Sequence, residues 1–89
     1  MDKAIKTTIA NQLESLVHSH TSLYALKEKI RMRIEKYGEV DFADDVGESV
    51  DFELNFCVGK PSGLICTMYY TKCREEGMVY PTEVQVCEG

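Results

Sequence analysis

The chain has no apolar run longer than about four residues, against roughly twenty needed to cross a bilayer as a helix, so no membrane span is expected. No apolar stretch follows the opening Met-Asp-Lys-Ala-Ile-Lys, so the N-terminus does not read as a secretory leader and the expected setting is the cytoplasm. The four cysteines, Cys57, Cys66, Cys73 and Cys87, include no C-x-x-C pair and have no histidine doublet beside them. Zinc is therefore not predicted, and in a reducing compartment the thiols are expected to stay free and partly buried. His18 and His20 are two apart, which on a helix points them to nearly opposite sides. The segment Gly59-Lys60-Pro61-Ser62 lacks the upstream glycine of a phosphate-binding loop and joins two strand-like stretches, so it is not read as one. The acidic run Glu39, Asp41, Asp44, Asp45, Glu48, Asp51, Glu53 does not have the ligand spacing of an EF-hand. Repeats and low-complexity tracts are absent. No cofactor is implied.

Neither proline nor glycine interrupts residues 2–37. Ile5, Ile9, Leu13, Leu16 and Val17 recur there at helical spacing, with Asp2 placed to cap a helix running to about His18. A second stripe, Leu23, Leu26, Ile30, Ile34 and Tyr37, follows the polar stretch His18–Ser22, with Thr21 or Ser22 as its cap and Gly38 as a left-handed stop. The two stripes can also be threaded as one helix. Its length would be roughly 50 Å, more than a small domain can cover, which favours two helices folded back on each other.

Beyond residue 38 the period changes. Val50, Phe52, Leu54, Phe56 and Val58 alternate with polar residues, the pattern of a strand with one buried face. Leu64–Lys72 and Met78–Cys87 read as two more strands, separated by turns at Gly59–Gly63 and Cys73–Gly77. Pro81 lacks an amide donor and so places the last strand at an edge or breaks it. The 89 residues make a single α+β domain, 1–89, since there is no room for two cores. Its expected order is α-α-β-β-β, with the helices over the Phe52/Phe56 face of a three-stranded antiparallel meander.

Charge follows the same boundary. Residues 1–37 carry seven cations against four carboxylates, net +3, and residues 38–89 carry three against eleven, net −8, giving the −5 of the whole chain. A bipolar surface suits docking. The expectation is a non-catalytic interaction or adaptor domain, with a protein partner or a second copy bound head to tail, basic helix to acidic sheet. Of the adjacent Tyr69 and Tyr70, one must face away from the core. Ile65, Thr67 and Tyr69 on the exposed sheet face are the expected contact residues. The alternative is nucleic-acid binding through Lys29, Arg31, Arg33 and Lys36, set against a solvated helix face with pairs such as Arg31–Glu35. Two further alternatives are an acidic inhibitor that mimics nucleic acid through Asp51 and Glu53, and a thiol- or metal-dependent enzyme using Cys66 or Cys73.

Overall fold

The computed structural model describes residues 3–43 and 52–89. Helix α1 (Lys3–Glu14) is followed by a two-residue strand β1 (Thr21–Ser22), helix α2 (Leu23–Ile34) and a 3-10 turn (Glu35–Tyr37). Strands β2 (Gly38–Phe42), β3 (Glu53–Pro61), β4 (Leu64–Lys72) and β5 (Met78–Glu88) complete the chain. The fold is α+β, with two helices and one antiparallel five-stranded sheet of order β1-β5-β4-β3-β2.

The sheet thus has two strands more than the three expected. β1 is too short to leave a period, and its two residues enter the sheet by pairing Thr21 with Val79 and Ser22 with Met78. β2 lies in what reads as an acidic connector. Val40 is buried and Phe42 half-buried, while Glu39 and Asp41 are exposed, so charge on the open face masks a strand alternation. Asp2, Asp44, Asp45, Val46, Glu48, Val50 and Asp51 lie outside the described residues.

Two helices form rather than one, and α1 stops at Glu14, short of the expected His18. His18 adopts φ 73°, which no α-helix can carry through, and the hydroxyls of Ser15 and Ser19 donate back to the carbonyls of Gln12 and Leu16. Ser22 then starts α2 afresh: its Oγ accepts from the Ala25 amide at 3.0 Å, which satisfies one of the orphan donors of the first turn. At the far end Gly38 is not a left-handed stop. The helix closes through the 3-10 turn, and Gly38 opens β2 at φ 151°, ψ 162°. A side chain there would run into the Gly59 carbonyl on β3, so only glycine fits.

One core unites the helices and the sheet. Ile9, Leu13, Leu26, Ile30 and Ile34 are fully buried, and they share a cluster with Leu54, Phe56 and Val58 of β3 and Leu64, Cys66, Met68 and Tyr70 of β4. Phe52 is not part of it. It precedes β3 at φ 52°, 39% exposed, with its ring edge-on to Tyr70 and the Lys72 ammonium 5.4 Å from its centre. Of the expected Phe52/Phe56 pair, only Phe56 faces the core.

Candidate functional site

Strand geometry turns alternate residues away from that core, and on β4 these are Ile65, Thr67 and Tyr69. Register fixes their neighbours. Ile65 lies between Cys57 and Cys87, and Cys57 in turn neighbours Asp41 of β2. Thr67 lies between Asn55 and Gln85, and Tyr69 between Glu53 and Glu83. The Tyr70 amide donates to the Phe52 carbonyl at 2.9 Å, so the pairs Glu53–Tyr69, Asn55–Thr67 and Cys57–Ile65 are the non-hydrogen-bonded ones, where side chains come closest. Thr67 Oγ1 accordingly donates to Asn55 Oδ1 at 2.8 Å, and the Tyr69 hydroxyl donates to Gln85 Oε1 at 3.2 Å.

These bonds lock the middle of the outer face and leave one apolar group standing. Ile65 is 53% exposed, with a cysteine on either side. Beside it a shallow hollow of ≈ 340 Å³ is lined by Ile65, Cys57, Asn55, Phe42 and Phe56. Asp41 borders the hollow beside Cys57, and Glu53 and Glu83 flank Tyr69 four residues further along β4, so the face combines an apolar focus with acidic margins. The expected residues Ile65, Thr67 and Tyr69 are brought together. The flanking Cys57, Gln85, Cys87 and Glu83 were missed, although the alternation of β3 contains the first and that of β5 the other three.

The basic helix residues are placed differently. Arg31 Nη1 lies 3.0 Å from Glu28 Oε1, not on the expected Glu35, and its guanidinium sits 5.3 Å from the centre of the Phe42 ring. Arg33 Nη1 donates to Ser15 Oγ at 2.9 Å, and Lys36 stands over Tyr37. Lys29 is exposed. Three of the four cations are therefore in contact with their own chain, two of them, Arg31 and Arg33, through an ionic or hydrogen-bonded partner.

The two candidate thiols lie in different surroundings. Cys66 is fully buried, and that burial, with Cys57 and Cys87 nearby, pushes its thiol up to about 12, away from the reactive thiolate. Cys73 is half-buried in a cleft with Leu23, Tyr70 and Met78. His18 Nδ1 shares a 3.0 Å hydrogen bond with the Tyr80 hydroxyl instead of facing a thiol. Among the described residues no three or more His, Cys, Asp or Glu gather as metal ligands. Among the same residues no helix is long and apolar enough to cross a membrane.

No family model, curated protein or solved structure matches the chain.

Proposed function

We propose that this is a non-catalytic interaction module that docks a protein partner on the outer face of its sheet, in the cytoplasm. The observation that carries the reading is Ile65, half exposed beside a hollow and framed by polar side chains already bonded to one another. Interfaces concentrate their energy in a few apolar anchors ringed by polar groups, and this face has that layout. The rim of Asp41, Glu53 and Glu83 selects a partner whose contact surface is apolar at its centre and basic at its margin. The same carboxylates support a second reading, an inhibitor that offers acidic side chains to the phosphate-binding groove of a nucleic-acid-processing protein. Either way the ligand is a protein.

The test compares proteins captured from a lysate of the source cells by the wild type, by Ile65→Asp and by Met32→Asp, with and without nuclease. Met32 is 75% exposed on α2, away from the sheet, and serves as the control. A nuclease-resistant partner that is lost with Ile65→Asp and kept with Met32→Asp is expected. A partner retained equally by both variants would place binding elsewhere.

A further inference from the structure

β5 is eleven residues long, yet β1 covers its outer edge only at Met78 and Val79. Pro81 follows, and its carbonyl accepts from the His18 amide at 2.9 Å. Past that point the edge changes character. The Gly89 amide donates to the Gly63 carbonyl at 3.0 Å, one step beyond the Leu64–Glu88 pair, so the hydrogen-bonded pairs between β4 and β5 are Ile65–Cys87, Thr67–Gln85 and Tyr69–Glu83. The amides and carbonyls of Val84, Val86 and Glu88 therefore point away from β4, along an edge that no strand covers among the described residues. Val84 and Val86 stay only partly buried although they pack against the core. Alongside them a groove of ≈ 430 Å³ separates β5 from α1, with Val84, Val86 and Glu88 on one wall and Lys3, Lys6, Thr7 and Ala10 on the other. The opposite edge, β2, is five residues long and carries Glu39 and Asp41, the kind of short charged edge that resists pairing.

We propose that the β5 edge is the seam of a two-fold dimer, in which a second copy of this chain adds its own β5 antiparallel to form one continuous sheet. A strand that fits here turns apolar side chains toward the groove and tolerates a carboxylate in it, since Lys3 and Lys6 outnumber the one Glu88 that already lines it. β5 itself meets that requirement with Val84, Val86 and Glu88. Pairing centred on Val86 sets Val86 against the partner's Val86 and the partner's Glu88 against Val84, inside the groove whose far wall carries the two lysines. In this register Glu83 lies opposite the partner's Gly89 and Glu88 opposite its Val84, so no acidic side chain faces another. The seam differs from head-to-tail docking in making no use of the basic helix, whose Arg31 and Arg33 contact Glu28 and Ser15 of their own chain. It is independent of the Ile65 face, which points to the other side of the sheet from the groove.

Sedimentation equilibrium tests the seam directly. The wild type is expected to dimerise, and Val86→Pro to raise the dissociation constant at least about tenfold, because proline removes one outward donor per copy while sparing the β4 ladder. A wild type that stays monomeric up to millimolar concentration, or a dimer unchanged by a folded Val86→Pro, overturns the proposal. Gln85→Cys covers the case in which proline unfolds the strand. Residues 85 and 87 become a non-hydrogen-bonded pair across the seam, close enough for a disulfide, so mild oxidation should give a dimer linked from Cys87 to the new thiol. Failure to link under conditions that oxidise surface thiols would equally refute the register.

Discussion

Cys66 shows how a single side chain settles a chemical question. Its thiol is fully buried and raised to about 12, so it should resist iodoacetamide in the folded protein while the exposed Cys57 and Cys87 react. Mass spectrometry of briefly alkylated protein checks this. Labelling of Cys66 at the rate of the other two would mean the core opens locally. The shift also makes a pH prediction. The unfolded chain loses this proton first, so the native state binds more protons above the ordinary thiol range, and the contribution to stability is lost as pH rises toward about 12. Denaturation midpoints of the wild type should therefore fall more steeply in that window than those of Cys66→Val, which keeps the volume and removes the proton. At this scale the sequence was readable in part. Free, partly buried thiols were expected of all four cysteines, but only the strand register separates buried Cys66 from exposed Cys57 and Cys87.

Elements were legible where a period runs for several turns. Of the stripe Leu23, Leu26, Ile30, Ile34 and Tyr37 the middle three are fully buried and the outer two pack against the core. Of the alternation from Val50 to Val58 the core takes Leu54, Phe56 and Val58 but not Phe52, Val50 lying outside the described residues. Legibility failed where a few residues act through the rest of the fold. β1 exists only because Met78 and Val79 are there to pair with it, and no window of two residues carries that information. The break between helices depends on φ 73° at His18 and on a cap, both local but weakly encoded. Ser22 should therefore matter more than its exposure suggests. Ser22→Ala removes the bond to the Ala25 amide and is expected to cost about 1 kcal/mol of stability, measured by urea denaturation. Ser22→Gly should cost only a few tenths. Equal losses for the two would assign the effect to the β1 pairing instead of the cap.

Over the whole molecule, the charge split of +3 and −8 puts Asp41, Glu53 and Glu83 on the outer sheet face, while two cations of the helix contact their own chain at the surface. That conversion bears on nucleic acid. Binding to a phosphate backbone draws its free energy from the counterions released, and each engaged phosphate needs a cation free to approach it. Of Lys29, Arg31, Arg33 and Lys36, Arg31 is paired with Glu28 and Arg33 with Ser15. Lys29 and Lys36 are left without an ionic or hydrogen-bonded partner among the described residues. With about two such contacts, raising salt from 50 to 200 mM should weaken association with duplex DNA by only about tenfold. The starting affinity should already be poor, because the −5 of the chain adds repulsion. Fluorescence anisotropy with a labelled duplex measures both quantities. A logarithmic salt slope near −2, unchanged in sequence-shuffled duplexes, is the expected result. A slope of about −4 or steeper would mean that all four cations reach phosphate, that the Arg31–Glu28 and Arg33–Ser15 contacts give way on binding, and that the helix rather than the sheet face is the functional surface.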